Sequence, residues 1–289
     1  MTMKYDIHKG GTYDMKELLK KLSTQEVIPQ KLYKYNTIND NFFKLIESNS
    51  CWFSKPEDFN DPFDCRINFN IGNNKEEIML NMEKSDILST LQEELIGMSD
   101  EVIKLANEVI NNRPALFKKV MNGVHQIYIN QNIGVYCLTE NSNNILMWSH
   151  YASSHTGVCI EFEIERNGFF YKNLLPVLYE KKYPKFELSR YIDEKNMLYT
   201  MHQQIVCTKS KLWEYEQEWR VIVDDGFGLK TFKKEDITKI IFGVNTPNDK
   251  KEKVVSLMKS KGYTKTKFFY CELSDNMYKL NLKKYQYNK

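Results

Sequence analysis

Apolar and polar positions change their period along the chain. Over residues 39–48 (NDNFFKLIES) the apolar residues fall three and four apart, which predicts an amphipathic helix with Asn39 as its N-cap. Residues 31–35 and 51–54 alternate around aromatics and read as short strands, the second stopped by Lys55-Pro56. A short helix is expected near 15–22. The stretch 76–130 is helical in period through EEIMLNM, DILSTLQEELI and DEVIKLANEVI, with a break at Arg113-Pro114 and a further helix to about 128. The period then drops to two in IGVYCLT (133–139) and GVCIEFEI (157–164), with one or two helical turns in NILMWSHYA between them. Residues 187–206 read as helix and EYEQEWRVIV (214–223) as strand. The chain then reads strand (TKIIFGV), helix (NDKKEKVVSLMKSKG) and strand (TKFFYCEL), a unit that resembles a right-handed crossover. Strands and helices mix without regular alternation, so the expected class is α+β. The expected organisation is a single domain over 1–289, with a helical insertion at about 76–130 and a basic strand–helix–strand segment at about 230–289.

Composition narrows the picture. Of 289 residues, 42% are hydrophobic and 27% charged, which is ample for a core. No eighteen-residue apolar run exists and the N-terminal MTMKYDIHKGG has no apolar stretch behind its charges, so a cytoplasmic protein without membrane contact is expected. Six cysteines stand far apart with no C-x-x-C, which favours reduced, mostly buried thiols. The net charge of +3 is unevenly spread: residues 1–229 carry 26 Lys+Arg against 32 Asp+Glu, whereas 230–289 carry 15 against 6. A basic segment of that kind suits contact with RNA, DNA or an acidic partner. With 36 lysines against 5 arginines overall, a lysine-rich solvated surface is the simpler account.

Phosphate-loop, dinucleotide, zincin and nucleophile-elbow fingerprints are all absent. His150 and His155, five apart, do not share a helical face, so no metal ligand set is indicated. Three clusters remain. Leu32-Tyr33-Lys34-Tyr35 together with 51–64 (CWFSKPEDFNDPFD) sets a lysine beside two tyrosines, a floor for a flat anionic ligand, although a rigid Asn-Asp-Pro turn flanked by core aromatics explains the same residues. Trp148, His150 and Tyr151 offer stacking and hydrogen bonding, with core packing the stronger reading for Trp148. Glu214, Glu216, Glu218 and Arg220 lie two apart, and a strand would put all four on one face. Such a row is either an exposed acidic face neutralised by Arg220 or a pair of carboxylates set across a ligand, with Arg220 stabilising their charge.

Taken in order, LYKY, WFSKPEDFNDPFD, VYCLTENSNNILMWSHYASSHTGVCIEFEI and YEQEWRVI resemble a bacterial family called domain of unknown function 2971, over roughly 31–245. The strand with an aromatic and a cation, the polar middle strand and the late Glu-x-Glu strand also resemble ADP-ribosyltransferases. That resemblance implies a split, mixed β-sheet core that binds NAD as a substrate in its cleft. It implies Glu218 as catalytic glutamate, Glu216 as the residue activating the acceptor, and Lys34 in the place of the cofactor-holding Arg or His. Tyr35, Tyr151 or Trp148 would stack on the nicotinamide, with Ser54 or 138–140 substituting for the missing Ser-Thr-Ser run, and His150 and Arg220 completing the NAD site. The implied activity is ADP-ribosyl transfer to a protein or nucleic acid, or NAD hydrolysis, in a toxin or phage-defence setting. Two other classes stay open: a metal-dependent nucleic-acid enzyme using the acidic trio with Asp61 and Asp64, and a non-catalytic nucleotide sensor.

Overall fold

A computed structural model describes residues 28–66, 69–70, 112, 114–183, 186–187 and 204–287. The chain divides into two compact units. The first takes in the described residues up to Lys55, Ile133–Tyr179 and those from Lys211 onward; the second takes in Pro56–Asn132 and Glu180–Ser210. The helical readings at 15–22 and 76–111, and most of that at 187–206, lie outside the described residues.

In chain order the first unit contains β1 (Lys31–Asn36), α1 (Asp40–Ser48) and β2 (Ser50–Phe53). The second contributes β3 (Phe69–Asn70) and α2 (Pro114–Asn132). The first resumes with β4 (Gly134–Thr139), α3 (Ile145–Tyr151), β5 (Val158–Glu163), α4 (Phe169–Lys172) and β6 (Leu174–Pro176). The chain leaves it in β7 (Leu178–Glu180) for β8 (Phe186–Glu187) and β9 (Thr208–Ser210). It returns with β10 (Glu218–Val223), β11 (Gly228–Thr231), β12 (Ile237–Phe242), α5 (Asn248–Ser260), β13 (Lys267–Leu273) and β14 (Leu280–Lys284). This is a mixed α+β architecture. Among the described residues no helix is long and apolar enough to cross a membrane.

The first unit is built on an eight-stranded sheet of order β14-β13-β12-β5-β1-β4-β10-β6. Only β12 and β13 run parallel as neighbours, joined by α5 in the crossover that the sequence pattern predicts. The pleat sorts residues between two faces. By register, Tyr33 and Tyr35 share one face, here the front, with Cys159, Glu161, Lys239, Ile241, Phe269 and Glu218; Leu32, Lys34, Ile160, Phe162 and Trp219 share the back.

Apolar burial fixes this register, because a one-residue slip would turn every side chain over. Leu32, Ile160, Phe162, Ile240 and Phe242 are all fully or nearly fully buried. Helix α1 is capped by Asn39, whose side chain accepts from the Phe42 N–H at 3.1 Å, and it buries Phe42, Leu45 and Ile46. The front has its own core, in which Met147 and Trp148 of α3 pack with Tyr35, Cys159, Ile241, Cys271 and Leu280. After α3 the chain turns through Ser153, Ser154 and His155 at φ 48°, 51° and 68°. That turn lies so close to Gly243 that a Cβ there would sit 2.1 Å from the His155 carbonyl oxygen, so only glycine fits.

Strands β1 and β4 pair at a single position, Tyr33 with Thr139, whereas β1 and β5 pair along six. Beyond that joint the edge of β4 is taken by Ser54, whose N–H and C=O exchange hydrogen bonds with Val135, both at 2.9 Å. The sheet is continuous across the Tyr33–Thr139 joint and parted beside it.

Candidate functional site

The loop from Thr139 to Asn144 organises one end of the front face. Thr139 Oγ1 donates to the Glu216 carbonyl and accepts from the Asn141 N–H at 3.0 Å. Asn144 caps α3 through the N–H groups of Leu146 and Met147, and its Nδ2 donates to the Tyr215 carbonyl at 2.9 Å. The Trp219 indole donates to Glu140 Oε1 at 2.7 Å. One short polar segment thus holds β4, α3 and the run into β10 together.

Residues 214–218 are not a continuous strand. Lys211–Glu216 form a 3-10 helix, Gln217 adopts a left-handed φ of 46°, and β10 starts at Glu218. The expectation of Glu214, Glu216, Glu218 and Arg220 on one strand face is therefore corrected. The Tyr215 and Glu216 carbonyls are engaged by Asn144 and Thr139 instead of a ladder partner, and the break at Gln217 aims the glutamates separately. Glu214 is half-exposed on the 3-10 helix and lies 3.9 Å from Lys211 Nζ. Glu216 is buried, and its Oε1 accepts from the Tyr151 hydroxyl at 2.7 Å. Glu218 is 4% exposed; Arg220 Nε donates to its Oε1 at 2.8 Å and Nη2 to its Oε2 at 3.2 Å. Arg220 is fully buried, so its guanidinium acts on Glu218 from inside the fold. Cys137 stands beside this pair in register with Arg220; burial and the Glu218 charge push its thiol up to about 12.

The other sequence candidates are dispersed. Tyr35 and Trp148 are 4% and 0% exposed, and their rings meet edge to face at 5.1 Å. His155 stacks on the indole, which leaves neither Tyr35 nor Trp148 open for a ligand to stack on. Lys34 faces away from Tyr33 and Tyr35, as strand alternation requires, so the three do not make one floor. Its half-buried ammonium lies 4.9 Å from the centre of the Tyr136 ring on the back face. Ser54 uses its backbone in the Val135 bridge. His150 is exposed, with its ring 6.1 Å from Tyr151 and 6.5 Å from Trp213. The site thus groups Glu216 of the 3-10 helix with Tyr151 of α3, and Glu218 with Arg220 on β10. Lys34 lies across the parted sheet from them.

Sequence reasoning missed Glu161. Its side chain is 2% exposed yet receives Lys31 Nζ at 3.0 Å, the Tyr33 hydroxyl at 3.0 Å, Thr238 Oγ1 at 2.9 Å and Lys239 Nζ at 2.6 Å. Burial alone would raise its pKa, but hydrogen bonds from Lys239, Lys31, Thr238 and Tyr33 hold it down to about 2. In GVCIEFEI it reads as an ordinary outward position, because its donors come from distant strands. Of the Thr139–Asn144 loop, Thr139 and Glu140 were sequence candidates as part of 138–140, but Asn141 and Asn144 were missed; the run of asparagines is their signal in the sequence, since such side chains bond nearby backbone. Among the described residues no group of three or more His, Cys, Asp or Glu side chains is placed to hold a metal.

A model of the family described as Protein of unknown function (DUF2971) matches residues 147–221. The matched segment contains Tyr151, Glu216, Glu218 and Arg220, and it supports the resemblance to that family. No curated protein and no solved structure gives a match to the chain.

Proposed function

We propose that this chain is an NAD-cleaving enzyme of ADP-ribosyltransferase type, a transferase or a glycohydrolase. The observation that carries the reading is the side-by-side order β10-β4-β1 in a sheet that parts after one residue pair. It sets buried Glu218 at the start of β10, with buried Glu216 on the 3-10 helix just before it, next to the polar end of β4 and the cation-bearing β1. In this reading NAD enters where the sheet parts. Glu218, held by Arg220, hydrogen-bonds the ribose and stabilises the oxocarbenium charge that develops as nicotinamide leaves. Lys34 attracts the pyrophosphate as a point charge. Glu216 takes the proton of the acceptor or water, with Tyr151 fixing the direction of its carboxylate.

The metal-dependent alternative loses ground on the same geometry, because Glu214, Glu216 and Glu218 point to different partners. The test is incubation of the purified chain with NAD in chelator, following nicotinamide release. Release supports the reading; NAD binding without release points to a sensor, and neither binding nor release removes NAD from consideration. Tyr151→Phe is expected to keep the fold and the KM for NAD while lowering kcat on the order of tenfold, with an altered pH profile, because a base that is no longer aimed works less well. Unchanged kcat and pH profile would separate Tyr151 from the chemistry.

A further inference from the structure

Helix α3 and the turn after it bring together a hydroxyl and an imidazole that NAD cleavage does not use. Ser149 is exposed on α3, and its Oγ lies 3.1 Å from Nε2 of His155. The hydroxyl also lies 2.9 Å from the Ile145 carbonyl oxygen, so its single proton has two acceptors within reach. Several contacts fix His155. Its N–H donates to the Trp148 carbonyl at 3.2 Å, its C=O accepts from the Asn245 N–H at 3.0 Å, and its ring stacks on the indole of Trp148 at 15°. Nδ1 is buried without a hydrogen-bond partner, so the hydrogen bond of the ring is the one between Nε2 and Ser149. Burial lowers the His155 pKa below its ordinary value, so at neutral pH the imidazole is neutral and able to take a proton.

Closing a helix does not require this arrangement. The chain holds three successive residues with side chains, Ser153, Ser154 and His155, in the left-handed region, where a glycine would sit without strain. Strain of that kind gathers at functional sites. The surroundings of Ser149 define what would meet it. Ile145 and Leu146, one turn back, are 41% and 45% exposed and give the hydroxyl an apolar border. From 145 to 157 the chain carries no Lys, Arg, Asp or Glu, so an uncharged group suits this surface better than a phosphate. Ser149 and Tyr151 are two residues apart, about 200° around the helix, so Ser149 leaves α3 away from the Tyr151–Glu216 pair.

We propose that Ser149 and His155 form a nucleophile and its base, which take the acyl group of an uncharged carboxylic ester with an apolar acyl chain. Oγ attacks the ester carbonyl carbon, and its proton passes to Nε2 as the Oγ–C bond forms. The C–O bond to the alcohol then breaks, and the alkoxide leaves with that proton. Water attacks the acyl-serine, gives a proton to Nε2, and the proton returns to Oγ as the acid departs. The inference stands apart from NAD cleavage and does not need it.

The test is incubation of the purified chain with a fluorophosphonate probe, whose P–F bond breaks as the Oγ–P bond forms, followed by peptide mass spectrometry. Hydrolysis of p-nitrophenyl butyrate is followed in parallel. One adduct is expected, on Ser149, formed at least about 100-fold faster than any on Ser153 or Ser154, which are exposed in the same turn. Ser149→Ala should abolish that adduct and the ester turnover. His155→Asn, a residue that tolerates left-handed φ, should keep the parent melting curve and slow both reactions at least about 100-fold. Three results would overturn the proposal: no adduct on Ser149 in the parent, labelling of Ser153 or Ser154 as fast as Ser149, or parental labelling and turnover in a folded His155→Asn. The comparison among the three serines needs no variant, so it holds even where His155→Asn fails to fold.

Discussion

Glu218→Gln is expected to slow nicotinamide release by about 100- to 1000-fold, the usual cost of removing one preorganised electrostatic group. The amide keeps the shape of the side chain but loses the negative charge that, in the proposed reaction, faces the developing oxocarbenium ion. Stability complicates the experiment, because Arg220 is fully buried against that carboxylate. Removing one member of a buried ion pair commonly costs about 3–5 kcal/mol, since the other charge loses its compensation. Glu218→Gln therefore needs a melting curve beside its activity. Glu218→Asp separates the two effects: it keeps the charge near Arg220 and withdraws the carboxylate by one methylene. A displacement of about 1 Å is enough to cost about 100-fold in rate. If the parent releases nicotinamide, both variants should be folded or rescuable at low temperature, and both slow. Near-parental rates in a folded Glu218→Gln would remove Glu218 from the proposed chemistry.

The local pattern carried much of the first unit. Strand β1, the Asn39-capped helix α1, β2, the two strands around α3 and the closing β12-α5-β13 unit all follow from nearest-neighbour spacing, because each buries one face of a short element. Helix α2 follows from the break at Arg113-Pro114. The 214–218 segment did not follow. Its alternation of glutamate with aromatics is a valid strand pattern, and it lost to partners distant in sequence: Asn144 and Thr139 take the carbonyls that a ladder would have used. Strand order was equally hidden, since β10, β4 and β1 come from three remote parts of the chain. Lys34 is a different case. Alternation in LYKY already places the lysine and its neighbouring tyrosines on opposite faces, and a shared floor could have been set aside from the sequence alone. Tyr35 and Trp148, read as stacking candidates, became core because α3 lies directly on β1.

Glu161→Gln should lower stability on the order of 2–3 kcal/mol at neutral pH, even though the residue lies outside the proposed chemistry. The carboxylate ties β1, β5 and β12 together through Lys31, Tyr33, Thr238 and Lys239, and the amide keeps one acceptor and loses both ion pairs. Lys31 is 49% exposed and can return to water, while Lys239 at 21% cannot do so as freely, which keeps the expected cost below that of a fully buried pair. The pH dependence gives the sharper reading. Folding depresses the Glu161 pKa from 4.5 to about 2, so its contribution is complete above about 4.5 and disappears as pH falls toward 2. The stability gap between parent and Glu161→Gln should therefore be constant from pH 7 to 5, shrink steadily below that, fall to about half near pH 3 and nearly close by pH 2. Urea denaturation of both proteins across that range measures the gap directly, with the other carboxylates cancelling in the difference. A gap that persisted unchanged to pH 3 would mean that packing around the side chain, and not its charge, holds the three strands together.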